Sequence, residues 1–304
     1  MIKLTTFGES HGLAVGGVME GCPSGLKIDR KFIADELARR ATGKTSSESQ
    51  RRESDEVEFL SGLLDDVTLG TPIAFLVRNT DARPEDYEAL KNTFRPSHAD
   101  YTYQAKYGIR DWRGGGRASA RTMLPYVVAG AIAKQLLKQQ GIAVHAQVKS
   151  KGGETEPSQM EALLERCRAE GDSVGGIVQG SITGLPAGLG EPLDDKFQAC
   201  LAKAMFTIPA VKGFEYGDGF AMASMSGSEA NDQMTIGENG SVKFLTNHSG
   251  GVQGGITNGE EVFFNVAFKP IPTIGRGDRH DVCALPRAVV IVEAMAALTA
   301  IRFL

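Results

Sequence analysis

The chain reads as an α+β protein, on three observations. Short β-prone runs break at glycine, amphipathic helices fall irregularly between them, and no dinucleotide fingerprint follows the first strand. Such a pattern favours strands paired around helices over a doubly wound parallel sheet. With 304 residues, 41% hydrophobic and 23% charged, there is material for a large core. No Pro/Ser-rich linker or fixed-period repeat divides it, so residues 1–304 are expected to form a single domain.

Taken in order, "KLTTFGESHG" starts as a strand and stops at glycine, and "LAVGGVMEG" is a second. "DRKFIADELARR" predicts a helix, with Asp29 as N-cap and Phe32, Ile33 and Leu37 at helical spacing. The polar stretch "ATGKTSSESQRRESDE" has no periodicity and reads as a loop, flanked by Arg39, Arg40, Arg51 and Arg52. "EVEFLSG" and "TPIAFLVRN" predict strands, "PEDYEALKN" a short helix and "FRPSHADYTY" an irregular aromatic turn. Helix is expected from about 122 to 140, again in "EPSQMEALLERCRAEG", and near 193 to 206. "GGIVQGSITGLP" predicts a strand, the helix near 193 to 206 leads into glycine-rich "PAVKGFEYGDGF", and "TNHSGGVQGGITNGEEVFFNVAFKP" places loop glycines ahead of a strand. An apolar helix closes the chain.

A net charge of −4 argues against a general nucleic-acid coat, so arginine clusters must be local sites, and the expected partner is a small molecule. Cys22, Cys167, Cys200 and Cys283 lack zinc spacing and are too few for a disulfide scaffold, which fits free thiols. "MIKLTTFGES" carries no signal-peptide core, and the apolar tail is interrupted by Glu293, so no membrane segment is expected and the cytoplasm is the expected location. No His-Glu-x-x-His, Cys-x-x-Cys, Walker or nucleophile-elbow spacing occurs, and no metal is expected.

Three stretches carry candidate chemistry. In "DWRGGGRASAR" a glycine triplet lies among Arg113, Arg117 and Arg121, ahead of a helix whose positive end would aim the same way. That arrangement suits an anion, although a capping surface turn has the same outline. His11 in "GESHG" and His98 in "RPSHADYTY" sit on turns from which an imidazole can exchange protons near neutral pH, or simply hydrogen-bond its own turn. Arg279, His280 and Asp281 precede the last helix, where Asp281 is either a cap or a proton acceptor kept ionised by a neighbouring arginine. Unaided, the residue types describe a phosphate-bearing ligand in an arginine pocket with two histidines and a carboxylate, or an anion- or RNA-binding module.

"TTFGESHG", "FRPSHADYTYQAKYGIRDWRGGGRASAR" and "GRGDRHDVCALPRAVVIVEAMAA" closely resemble the three signature regions of chorismate synthases. "DEVEFLSG", "GLPAGLGEP", "IPAVKGFEYGDGF" and "TNHSGGVQGGITNG" resemble the family in the same order, so the likeness spans nearly the whole chain. It implies a layered β-α-β sandwich of antiparallel sheets with surrounding helices, assembled as a homotetramer. It also implies anti 1,4-elimination of phosphate from 5-enolpyruvylshikimate 3-phosphate to give chorismate, with reduced FMN as cofactor. Whether NAD(P)H reduces the flavin on the protein is not implied.

Carried onto this sequence, the resemblance makes His11 the general acid at the substrate phosphate. It places His98 near the flavin pyrimidine edge and Asp281 beside flavin N5. It implies substrate contacts at Ser10, Arg39, Arg40, Ser119, Ala120 and Arg121. Flavin contacts are implied at Arg117, Ala118, Ser119, Pro209, Ala210, Asn247, Gly254, Lys269, Pro270, Ile271, Pro272, Thr273 and Arg279. The chain departs from the family at Thr122, where glutamate is usual, and at Ala41, Thr42 and Ser46 in the basic loop, where Lys44 adds a point cation. Connections near 150 and 275 are short. A relative that binds flavin and substrate but turns over slowly is the alternative that these departures raise.

Overall fold

The computed structural model describes residues 2–41, 55–81, 84–238, 240–275 and 281–304. Thr42, Lys44, Ser46, Arg51 and Arg52 of the basic loop, with Arg279 and His280, lie outside the described residues.

Helix α1 (Arg30–Arg40) starts where the sequence places its cap: Asp29 Oδ1 accepts from Phe32 N at 2.9 Å. Helix α2 (Asp100–Tyr107) corrects the expected irregular turn. The chain turns over Pro96 to Ala99, with Ser97 at φ 57°, and Asp100 then opens a helix that Gly108 ends at φ 73°. The "PEDYEALKN" segment forms a 3₁₀-helix at Pro84–Leu90. Helices α3 (Leu124–Gln139), α4 (Pro157–Glu170), α5 (Phe197–Phe206), α6 (Gly227–Ala230) and α7 (Leu285–Ala300) follow. Both α3 and α7 carry a proline in the first turn, where its missing N–H costs nothing.

Two antiparallel four-stranded sheets enclose α3 and α7. The first runs in the order Lys3–Phe7, Ala14–Glu20, Ile73–Arg78, Val57–Phe59. The second runs Ala143–Lys151, Gly176–Thr183, Val262–Phe268, Val211–Tyr216. Helix α3 packs on the first sheet and against α7, while α7 packs on the second, which is the layered β-α-β arrangement expected. The helices close tightly at Gly130, where a Cβ would stand 2.4 Å from that of Ala294. Val15 and Phe75 from one sheet, Val127 and Val292 from the helices, and Val178 and Phe264 from the other sheet belong to one buried cluster. No described helix is long and apolar enough to cross a membrane. All four cysteines are buried free thiols.

One polar knot interrupts that core. Glu293, 2% exposed on apolar α7, accepts from Arg39 Nη1 at 2.6 Å and Nη2 at 2.8 Å, from Lys134 Nζ at 2.5 Å and from Ala146 N at 3.1 Å. Arg39 Nη1 also donates to Glu36 at 2.7 Å, and Lys134 Nζ donates to Glu36 as well. Burial pushes the Glu293 carboxyl up, but Arg39 and Lys134 outweigh it and hold the group below its usual range. The knot pins α1 to α3 and α7 and fixes where the C-terminal turn of α1 points.

Candidate active site

The His11 turn joins the first two strands, and His11 is 7% exposed. The imidazole lies against the backbone of Gly114, where a Cβ would fall 2.1 Å from ring atoms, at φ +61°. Tyr87 meets the ring edge-on at 4.9 Å between centroids. Ser10, fully buried, donates through Oγ to Gly114 O at 3.3 Å and lies 3.1 Å from His11 Nδ1. With its proton on that carbonyl, the hydroxyl accepts from Nδ1–H, which makes Nε2 the nitrogen that gives up the second proton of an imidazolium.

The arginines of the glycine loop diverge. Arg113 pairs with Asp111 at 2.8 Å, while Arg117 donates to Gly8 O at 3.0 Å and Thr6 Oγ1 at 2.7 Å. Arg121, 5% exposed, donates Nη1 to Asp55 Oδ1 at 3.0 Å, Nη2 to Arg78 O at 3.2 Å, and Nε to Asn79 Oδ1. Asp55 takes Arg40 Nη2 on its other oxygen at 3.2 Å. Desolvation pulls Arg40 down to about 10, with Asp55 opposing and the like charges of Arg121 and Arg287 adding to the fall. It remains a cation at neutral pH. Ser119 caps the 3₁₀-helix Ala120–Met123 by accepting from Arg121 N at 3.3 Å, and Ala118 N donates to Gly115 O at 3.0 Å. Thr122 closes this loop internally, donating to Ser119 O at 2.7 Å.

Asp281 lies beside this cluster through Arg287, whose Nη2 donates to Asp281 Oδ2 at 2.5 Å. Among the described residues, Arg40 Nε and Arg287 Nε are both buried without a partner. Two neighbouring guanidinium donors left open mark a place for an anion. Arg39 is not brought here. Consecutive helix positions diverge by about 100°, and Arg39 turns to the Glu293 knot while Arg40 turns to Asp55.

His98 lies on the turn before α2, braced by Arg95 and Asp100, whose carboxylate accepts from Arg95 N at 3.0 Å, Nε at 2.8 Å and Nη2 at 2.8 Å. Arg95 holds Asp100 at about 2 against its desolvation. His98 Nε2 is 2.9 Å from Thr273 Oγ1, and Lys269 Nζ donates to Ser97 O at 2.8 Å. Desolvation, then Arg95 and Lys269, hold His98 below its usual range, with Asp100 opposing. Ala210, at φ 70° after Pro209, accepts from Lys269 N at 2.9 Å, and Ile271 O accepts from Ser173 Oγ at 2.7 Å. Lys269, Pro270, Ile271, Pro272 and Thr273 therefore leave the second sheet beside the His98 turn.

Asn247 and Gly254 lie toward the other end of the second sheet. Asn247 Nδ2 donates to Glu261 O at 2.8 Å, at the opposite end of strand Val262–Phe268 from Lys269. Seven residues of strand separate the two ends by roughly 20 Å. Gly254 lines a groove of about 670 Å³ with Phe214, Tyr216, Phe220 and Met222. Sequence reasoning did not single out Asp55, Asn79, Tyr87 or Arg287. Each lay inside or beside a stretch that was read only for its fold, and their roles come from tertiary contacts.

Fold and site together define an α+β protein whose first strand turn, carrying His11, is tied through Asn79 to a cluster of buried arginines. A sequence model described as chorismate synthase matches residues 2–304. The chain belongs to the chorismate synthase family. It is 49% identical to a chorismate synthase of Porphyromonas gingivalis, over 98% of this chain and 92% of the relative. It is also 49% identical to one of Christiangramia forsetii, over 98% and 94% respectively. Among solved structures, one described as a crystal structure of chorismate synthase matches with a TM-score of 0.81 at 30% identity, over 99% of this chain and 91% of that one.

Proposed function

We propose that this protein is a chorismate synthase, a carbon–oxygen lyase that eliminates phosphate from 5-enolpyruvylshikimate 3-phosphate to give chorismate, and that it works with reduced FMN. The observation that carries the reading is the pair of open, buried donors on Arg40 and Arg287, beside Arg121 and within the same constellation as the His11 turn. Family membership supplies the identity of the anion.

The residues present suit a phosphate-bearing, electron-rich cofactor. Lys269, Thr273, Ser119 and Arg117 offer cationic and hydroxyl groups, and the Pro209–Ala210 turn lies beside Lys269. Reduced FMN, when bound, would supply the electron density that assists phosphate departure. The protein's own groups do the rest. Arg40, Arg121 and Arg287 neutralise the substrate's carboxylates and phosphate, so that charge leaving with phosphate is already balanced. His11 donates from Nε2 to the departing phosphate while Ser10 holds Nδ1–H. Asp281, oriented by Arg287, would be the carboxylate placed to take up the proton that the elimination frees beside the bound cofactor. Burial, with Arg95 and Lys269, holds His98 below its usual range, and an anion arriving beside it favours the protonated ring.

The same reading treats residues 1–304 as one domain, supported by the shared core, and expects a homotetramer by family analogy. Anaerobic incubation with FMN, dithionite and substrate should release phosphate and form chorismate in equal amounts. Phosphate no higher than in a His98→Ala control would overturn the reading.

A further inference from the structure

We propose that Asn79 is a positioning residue that fixes the His11 turn relative to Arg121; the inference rests on the function proposed above. Asn79 follows strand Ile73–Arg78, and its backbone N–H still donates to Leu13 O at 3.1 Å. Its side chain leaves the sheet to do something else. Nδ2 donates to Glu9 O at 3.0 Å and to Gly12 O at 2.8 Å, the carbonyls on either side of the Ser10–His11 pair. Oδ1 accepts from Arg121 Nε. The turn is closed by Gly12 N donating to Glu9 O at 3.1 Å, so the amide grips both of its ends at once.

A planar amide has two donors and one acceptor in a fixed relation, and here all three functions are used between groups far apart in sequence. The proton donor and the anion-binding guanidinium are thereby held by one rigid link. Aspartate has the same shape but only acceptors when ionised, and it would face two carbonyl oxygens. Glutamine would carry the amide one methylene too far. A displacement of about 1 Å between a proton donor and its leaving group is enough to cost roughly a hundredfold in rate.

The test compares the full-length protein with Asn79→Asp, Asn79→Ala, His11→Ala and the double variant His11→Ala/Asn79→Asp. Asn79→Asp keeps the acceptor for Arg121 and loses the grip on the turn. Its kcat should fall about a hundredfold while KM moves less than roughly threefold. In the His11→Ala background the same change should cost less than about twofold, because the residue acts through His11. Nitrogen NMR of His11 in the flavin-free protein should show altered ring shifts and a moved titration midpoint in both Asn79 variants. Additive kinetic losses, or an unmoved His11 resonance, would overturn the inference. Should the parent protein form no chorismate, the functional reading falls, and the NMR result alone still decides what Asn79 does. If Asn79→Asp does not fold, Asn79→Ala removes the same donors without adding charge and carries the comparison.

Discussion

Arg39 and Arg40 are neighbours on one helix, and their surroundings differ in how completely their charge is answered. Around Arg39, two cations meet two carboxylates, Glu36 and Glu293, with a backbone N–H closing the set. Around Arg40, among the described residues, three guanidiniums meet Asp55 and Asp281, and the Nε donors of Arg40 and Arg287 stay open. A balanced knot holds helices together. A knot with surplus positive charge and open donors is held ready for something that is not protein.

The largest effect expected from this contrast is on activity. Arg40→Met should lower chorismate formation about a hundredfold or more, as loss of one preorganised cation does. Its melting temperature should hold or rise, because the change relieves crowding among like charges. A melting temperature that falls along with activity would erase the distinction. Gly114→Ala sharpens the same point from the His11 side, since the added methyl would overlap the imidazole on a backbone already at φ +61°. Turnover should drop by at least about tenfold with flavin binding unchanged, as measured by fluorescence titration.

Stability should answer at the other knot. Glu293→Gln should cost about 3 kcal/mol in denaturant melts, by leaving Arg39 and Lys134 short of a counter-charge, while activity per folded molecule stays within about twofold. The sign with pH follows from a carboxyl held below its ordinary 4.5. Its contribution is whole above that value and is lost as pH falls through the lower folded-state value. The parent should therefore weaken on acidification more than Glu293→Gln does. The smallest effect is at His98, whose NMR midpoint should lie below 6.5 in the flavin-free protein and rise when reduced FMN binds. A midpoint at or above 6.5 in the free protein would contradict the burial argument.

Periodicity made α1, α4 and the closing helix legible, and the cap at Asp29 fell where the sequence placed it. Strand Val211–Tyr216 was hidden by Gly213 within glycine-rich surroundings, although pairing with Val262–Phe268 holds it extended. Helix α2 was masked by the Pro96–Ser97 turn, and Asp100 starts it through contacts with Arg95 that no propensity contains. At the site, the motifs pointed to His11, His98, Asp281 and Arg121. They did not separate Arg39 from Arg40, since direction around a helix is decided by what the other helices present. Asn79 and Arg287 acquire meaning only when strand ends and helix ends meet.

The central claim is that the arginine surplus and the His11 turn share one anion site. A crystal structure with FMN and substrate bound tests it most directly. An anionic group of the substrate should then lie within hydrogen-bond distance of Arg40 Nε or Arg287 Nε, with its phosphate facing His11 Nε2. Both Nε donors still unpartnered, with the substrate in the Phe214–Phe220 groove instead, would contradict it.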